Sequence, residues 1–356
     1  MKKIRVLVVG CGNMGFSHAL AYHQLKNFEI CGLVSRGNSN RILNEKLKTD
    51  YPLFNNYEKA LQQTSPDAVC ISTYPETHEK YTLKALQNNC DCFVEKPLST
   101  TVKGTQKIIK LAKRKNKKVV VGYILRHHPA WVKFVELAKE LGTPLVMRMN
   151  LNQQSKSNMW ETHKQIMKTM SPIVDCGVHY VDIMCQMTQS APKSVSAIGA
   201  KLTPEISSNM YNYGNLQVVF EDKSVGWYEA GWGPMMSETA FFIKDIIGPK
   251  GSVSIVAEKA SAESESDNVD LHTQTESIKI HYAELNSSKE FAKKDKIIKI
   301  KDEPNHNLLC KKEQEYFYDT IAKNIDLTNH WNDAINSLKI VIAADKSFRK
   351  NKTIKF

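Results

Sequence analysis

The chain has 356 residues, 42% of them hydrophobic, and a formal net charge of +12. That length suffices for two domains with separate cores. The longest apolar run, Val119 to Leu125, falls far short of the roughly 20 residues that span a bilayer, which excludes a transmembrane helix.

The basic excess admits nucleic acid, a membrane surface or a phosphorylated small molecule as partner. Its densest run, Lys110 to Lys118, ends a helical pattern whose Ile108, Ile109, Leu111 and Ala112 face inward. A solvated helix face accounts for it, and no nucleic-acid motif stands beside it. The eight cysteines (Cys11, Cys31, Cys70, Cys90, Cys92, Cys176, Cys185 and Cys310) form no C-x-x-C pair, so reduced thiols and no metal site are expected. Lys2, Lys3 and Arg5 before apolar residues imitate a secretory leader, but the apolar stretch breaks at Gly10, and a cytoplasmic protein is expected.

In chain order, the first informative stretch is Val6 to Gly15, V-L-V-V-G-C-G-N-M-G. A short apolar strand runs into Gly10, Gly12 and Gly15 in G-x-G-x-x-G register, and an amphipathic helix follows over Phe16 to Leu25. Such glycines let the backbone approach a pyrophosphate resting on the helix N-terminus, where free amides and the dipole favour negative charge. The turn Gly10, Gly12, Asn13, Met14 and Gly15 is therefore expected to cradle a dinucleotide, although glycines also serve as plain turn formers. The next strand, Phe28 to Ser35, bears on cofactor choice. NAD sites usually end it in Asp or Glu for the ribose hydroxyls; here Ser35 and Arg36 stand there, with Ser39 and Arg41 close behind. A guanidinium suits a 2′-phosphate, so NADP(H) is expected to be preferred, with NAD(H) the alternative if Arg36 only stacks on adenine.

Strands are predicted at Ile4 to Val9, Asp67 to Thr73, Asp91 to Glu95 and Val119 to Tyr123, with helices near Arg41 to Lys48, Tyr57 to Gln63, His78 to Asn89 and Thr101 to Arg114. Strands alternating with helices predict a parallel sheet covered on both faces, an α/β fold of Rossmann type over residues 1–124. Residues 125–356 read as an α+β domain on an open, mainly antiparallel sheet. A helix, Trp131 to Leu141, leads to a strand, Leu145 to Leu151, and a polar stretch through Lys164. Strands then follow near Ser194 to Leu202, Leu216 to Phe220, Ser224 to Trp232, Ala240 to Ile247 and Ser252 to Val256. Ala257 to Asp267 reads as a mobile loop, and Ile278 to Tyr282 and Ile297 to Ile300 as edge strands. Helices near Glu313 to Asn324 and Asn332 to Arg349 close the chain and are free to pack back on the first domain.

Two constellations carry chemistry. Glu95-Lys96-Pro97 ends a Rossmann strand, the edge from which α/β proteins present ligands. Pro97 holds Lys96 extended, and a nearby oxidised nicotinamide would lower the lysine pKa toward acid/base use; a surface Lys-Pro turn reads the same. Asp175 and His179 fall at i and i+4 on one face of a helix whose Ile173, Val174, Val178, Val181 and Met184 look like core. That spacing fits a helix ion pair as well as a pair that holds a substrate hydroxyl and moves its proton.

In order, G-C-G-N-M-G-x-x-H, Thr73-Tyr-Pro-Glu-Thr-His78, Glu95-Lys96-Pro97, Gly122-Tyr-Ile-Leu-Arg126-His-His-Pro129 and Asp175-x-Gly-x-His179 resemble the Gfo/Idh/MocA oxidoreductases, the group of glucose–fructose oxidoreductase and inositol dehydrogenase. The likeness extends to the end of the chain, in Ala334-Ile-Asn-Ser-Leu338 to Ala343-Ala-Asp-Lys-Ser347. It departs at Met170-Ser171-Pro172, where relatives often carry a glycine-rich turn, and at Glu161, where arginine often follows the tryptophan.

The resemblance implies NAD(P)-dependent hydride transfer at a carbon of a sugar, cyclitol or related polyol, in a homodimer or homotetramer formed through the second domain. Lys96, Asp175 and His179 match the catalytic residues, with the immediate base, His179 or Lys96, left open. Thr73, Pro75, His78, Glu95, Lys96 and Arg126 match cofactor-side positions; Lys96, Tyr123, Trp160, Asp175 and His179 make the expected substrate set. Two other functions fit the same fold: a dinucleotide-binding transcriptional co-regulator, which would lack the lysine and histidine, and a redox-neutral glycosidase that returns its hydride within one turnover.

Overall fold

The computed structural model describes residues 3–237, 243–256 and 275–356. The chain divides into two compact units, Met1–His127 with Pro304–Ile335, and His128–Glu303 with Asn336–Phe356.

In the first unit, β1 (Ile4–Val9), β2 (Phe28–Val34), β3 (Leu53–Phe54), β4 (Ala68–Ile71), β5 (Asp91–Glu95) and β6 (Val119–Gly122) form one sheet in the order β3-β2-β1-β4-β5-β6. All five pairings are parallel. Parallel strands need crossovers, supplied here by α1 (Asn13–Gln24), α2 (Ser39–Leu47), α3 (Tyr57–Thr64), α4 (Pro75–Gln87) and α5 (Val102–Lys115). With both faces covered, the central strands are continuously apolar: Val6, Leu7, Val8 and all of Ala68–Ile71 have no exposed surface. The strand order reverses between β1 and β4, the place where such sheets open a crevice for ligands. The two-residue β3 was not legible as a strand. After a 3-10 turn at Ile124–His127, the unit is completed from the far end of the sequence by α10 (His306–Ala322), which packs on α1, with Tyr22 bonded to Gln314.

The second unit holds a nine-stranded sheet. Its strands are β7 (Val146–Gln154), β8 (Pro192–Ala200), β9 (Tyr213–Phe220), β10 (Val225–Gly233), β11 (Lys244–Gly248), β12 (Gly251–Val256), β13 (Ser277–Tyr282), β14 (Lys296–Lys299) and β15 (Ile354–Lys355). The order is β14-β13-β12-β11-β7-β10-β9-β8-β15; β7 and β10 are parallel and every other pair antiparallel. β13 is paired on both sides, so the expected edge strand at Ile278 to Tyr282 is interior, and β14 and β15 are the edges. The expected strand over Ala240 to Ile247 is described only from its later part, and the expected loop Ala257 to Asp267 lies outside the described residues.

Helices α6 (Pro129–Glu140), α8 (Pro172–Asp175) and α9 (Gly177–Thr188) cover one face, where Tyr180 stacks on Tyr228 with ring centroids 5.0 Å apart. Across strands β11, β7, β10 and β9, the register aligns Ile247, Val146, Val225 and Val219 in one row, each 36–40% exposed. The stretch read as polar contains α7 (Ser157–Ile166), which buries Trp160 and His163 and is polar elsewhere except for half-buried Met159 and Ile166, too little apolar periodicity to announce a helix. The last long helix, α11 (Thr328–Lys350), divides its residues between the units after Ile335.

Candidate active site

In the first unit, β1 runs into Gly10, whose φ of 91° suits glycine, and a Cβ there would lie 2.4 Å from the Ser72 carbonyl oxygen. A Cβ on Gly15 would lie 1.9 Å from the Gly10 oxygen, so these two glycines close the turn. Gly12 differs: nothing stands within 4 Å of the position its Cβ would take. It is the N-cap of α1 and supplies no side-chain cap, so the first amides of the helix face that open space beside exposed Asn13. A space that a side chain would fill, in front of helix-terminal amides, fits a pyrophosphate.

At the end of β2, Ser35 Oγ lies 2.6 Å from Ser39 Oγ and accepts the Gly37 N–H, which turns the hydroxyl inward and leaves Arg36 as the exposed cation. After β4, Thr73 Oγ1 lies 2.6 Å from Thr77 Oγ1, and Thr73 and Pro75 are half-buried at the start of α4. His78 is not a surface group. It is fully buried, with Nδ1 2.8 Å from Pro97 O and Nε2 2.9 Å from Thr73 O, and burial pushes its pKa down. Both ring nitrogens of this residue, expected on the cofactor side, thus lie against main-chain carbonyls of its own unit.

Glu95, also expected on the cofactor side, is 7% exposed; its Oε1 lies 2.7 Å from His18 Nε2 while Oε2 accepts the Lys96 N–H at 3.2 Å. Its charge is spent inside the unit. Lys96 itself is half-buried at the strand end, before a cis Lys96–Pro97 peptide bond. Tyr123, expected at the substrate, is 1% exposed and lies under Arg126, whose guanidinium is 5.7 Å from its ring centre. Arg126 Nη2 pairs with Asp333 Oδ2 at 2.9 Å, a partner 207 residues away that nothing in the local sequence announces.

One group of metal-ligand type occurs among the described residues: His18, Cys310 and Glu313 have donor atoms within 4.8 Å of one another. Both ring nitrogens of His18 already have hydrogen-bonding partners. Burial, with Glu95 beside it, pushes the Glu313 carboxyl well up, so it holds its proton rather than offering charge to a cation.

In the second unit, Asp175 and His179 do not share one helix. Asp175 ends α8, His179 lies in the first turn of α9, and Cys176 links the two in a helical backbone conformation. Ser171 caps α8 by accepting the Val174 N–H, donates to Asp345 at 2.7 Å, and accepts from the Tyr211 hydroxyl at 3.0 Å. Burial of Tyr211 beside Asp345 pushes its phenol well up. Cys176 Sγ donates to Gln153 Oε1, which also accepts the Trp232 indole N–H at 2.6 Å, and His163 stacks on Trp232 at 4.2 Å. Gln153 and Trp232 stand at the ends of the parallel pair β7 and β10, so the two helices carrying Asp175 and His179 begin over that strand end. Trp160, expected to bind substrate, is 7% exposed and spends its indole N–H on Glu205 at 3.2 Å. Glu161 pairs with Lys164 at 2.8 Å.

Residues 4–123 match the family model described as oxidoreductase family, NAD-binding Rossmann fold, and residues 134–261 match the Gfo/Idh/MocA C-terminal domain. The chain belongs to the Gfo/Idh/MocA oxidoreductases. Among Gfo/Idh/MocA relatives, inositol 2-dehydrogenase of Agrobacterium fabrum is 27% identical over 186 residues, 51% of this chain and 53% of that protein. Inositol 2-dehydrogenase of Paracoccus denitrificans is 28% identical over 153 residues, 40% of this chain and 44% of that protein. The chain thus spans about half the length of the curated relatives it matches. The crystal structure of apo scyllo-inositol dehydrogenase from Lactobacillus casei is similar in fold, with a TM-score of 0.77 over 99% of this chain and 98% of that one at 19% identity.

Proposed function

We propose that this protein transfers a hydride between NADP(H) or NAD(H) and a carbinol or carbonyl carbon of a sugar, cyclitol or related polyol. The observation that carries the reading is the open space at Gly12 before the α1 amides, on a sheet whose strand β5 delivers Lys96 at the same, C-terminal edge. When bound, the cofactor supplies a nicotinamide ring that takes up or returns the hydride. The Gly12 turn and α1 hold the pyrophosphate, and Arg36 selects the 2′-phosphate, which makes NADP(H) the preferred form. His179 or Lys96 removes the hydroxyl proton as hydride leaves the carbon, while the other, with Asp175, orients that hydroxyl; reduction returns the proton along the same path. Inositol dehydrogenases among the relatives favour a polyol as substrate class. The exposed row Ile247, Val146, Val225 and Val219 supports a homodimer or homotetramer closed through this sheet. Eight buried cysteines, none of them in a disulfide, suit a reducing cytoplasm, and among the described residues no helix is long and apolar enough to cross a membrane.

The test is a screen of cyclitols, sugars and their phosphates with each cofactor, read by absorbance of the reduced nicotinamide. Substrate-dependent reduction of NADP supports the reading, faster turnover with NAD revises the role of Arg36, and no reduction with any polyol overturns it.

A further inference from the structure

Lys96 stands between two residues that are each tied to a fully buried histidine. On its N-terminal side, Glu95 sets Oε1 2.7 Å from His18 Nε2 and accepts the Lys96 N–H on Oε2. His18, in α1, has Nδ1 2.9 Å from the amide nitrogen of Gln314 in α10, and the Gln314 oxygen accepts the Tyr22 hydroxyl. An amide nitrogen only donates, so Nδ1 is the acceptor and the ring proton is left on Nε2, facing Glu95. On the C-terminal side, His78 of α4 holds Pro97 O at 2.8 Å from Nδ1. A neutral imidazole has one N–H, so His78 donates to one of its two carbonyls, and the tautomer with the proton on Nδ1 is the one that ties Pro97.

A buried carboxylate and a buried carbonyl both need donors, and many side chains could supply them. The two donors found here end on the residues immediately before and after Lys96, so together they fix the direction in which that side chain leaves the strand. We propose that His18 and His78 are positioning residues for Lys96, each acting through a neighbour of the lysine rather than by touching cofactor or substrate. This rests on the reading of Lys96 as catalytic.

The test exchanges the position of one donor. Glutamine places its amide nitrogen near the site of Nε2 and asparagine near that of Nδ1, so His18→Gln and His78→Asn keep the inferred bonds, whereas His18→Asn and His78→Gln move the donor away. Turnover within about threefold of wild type is expected for the first pair, and a loss of roughly ten- to a hundredfold for the second, because small misplacement of a reacting group is costly. The dissociation constant of the reduced cofactor, measured by fluorescence, should stay nearly constant in all four, and melting curves establish which variants fold. If one exchange prevents folding, the pair at the other histidine decides. Equal losses for the Gln and Asn variants of the same histidine, or losses confined to cofactor affinity, would overturn the proposal. Lys96→Ala run alongside separates the two readings: near-normal turnover there removes the catalytic role of Lys96, whereas a dead Lys96→Ala with no donor preference removes only that of the histidines.

Discussion

The two units carry the expected chemistry on different kinds of support. In the first, Lys96 leaves a strand end whose neighbours are held by buried polar side chains, from Tyr22 through Gln314 and His18 to Glu95. In the second, Asp175 and His179 leave a four-residue and a twelve-residue helix that, beside the buried bonds of Ser171 and Cys176, are seated on apolar and aromatic surface, where Gly177 is packed so closely that a Cβ would lie 2.9 Å from the Tyr228 ring. Directional bonds fix one group by angle and distance and fail when a donor is misplaced; close packing fixes a helix by volume and fails when atoms are added. The lesson is that equal precision at two places need not share a cause, and that each place has its own sensitive substitution.

The largest effect should come from removing the reacting groups themselves. Lys96→Ala and His179→Ala are each expected to lower turnover by orders of magnitude with cofactor affinity nearly unchanged, since the proposed function assigns one to removal of the hydroxyl proton and the other to orienting that hydroxyl. Steady-state kinetics with titrated cofactor measure this, and a dispensable member would break the division of labour between the units. A smaller loss is expected at the cofactor. Arg36→Ala should weaken NADP(H) binding by roughly 2 kcal/mol, as loss of a charged hydrogen-bond partner does, and leave NAD(H) little affected; calorimetric titration with both cofactors decides it.

Packing support is sharpened at Gly177. Gly177→Val forces atoms against Tyr228 and Val341, and a stability loss of about 1–3 kcal/mol by denaturant titration is expected, accompanied by reduced turnover as the start of α9 moves.

The smallest effects are two opposite slopes of stability with pH. Burial, with Glu95 beside it, raises the Glu313 carboxyl well above its usual value of 4.5, so the folded protein keeps a proton that the unfolded chain has lost. Stability from this group therefore falls as pH climbs past 4.5, and the melting advantage of Glu313→Gln should grow with pH. Burial lowers Lys244 of the second unit from 10.5 to about 7, so the unfolded chain is protonated where the folded one is not. Stability then rises between about 7 and 10.5, and the advantage of Lys244→Met should be largest below that window and shrink across it. Parallel slopes in melting scans would contradict one of the two assignments.

The parallel sheet and the glycine turn could be read from the sequence because their causes are local: continuous apolar strands, and glycines at Gly10 and Gly15 where a Cβ collides with backbone. The antiparallel runs of the second unit were equally plain, but the parallel partnership of β7 with β10 joins segments with three helices and two strands between them, and nothing near either strand encodes it. The pairing of Asp175 with His179 at i and i+4 concealed the break at Cys176, since that residue stays helical in its own backbone angles. His18, His78 and Tyr123 illustrate the limit most clearly. Their motif positions were visible, whereas their burial depends on Glu95, Pro97 and Arg126 arriving from other elements. Trp160 likewise read as a substrate contact, and Glu205, 45 residues on, takes its indole N–H.

The most direct measurement follows the hydrogen itself. A polyol found active in the cofactor screen is prepared with deuterium on the carbon bearing the oxidised hydroxyl, and the reduced cofactor and product are analysed by mass spectrometry after one turnover. Deuterium on the nicotinamide, with an oxidised carbonyl product, is the expected result. Deuterium back in the product with no net reduction of cofactor, or lost to water, would contradict hydride transfer as the reaction this protein catalyses.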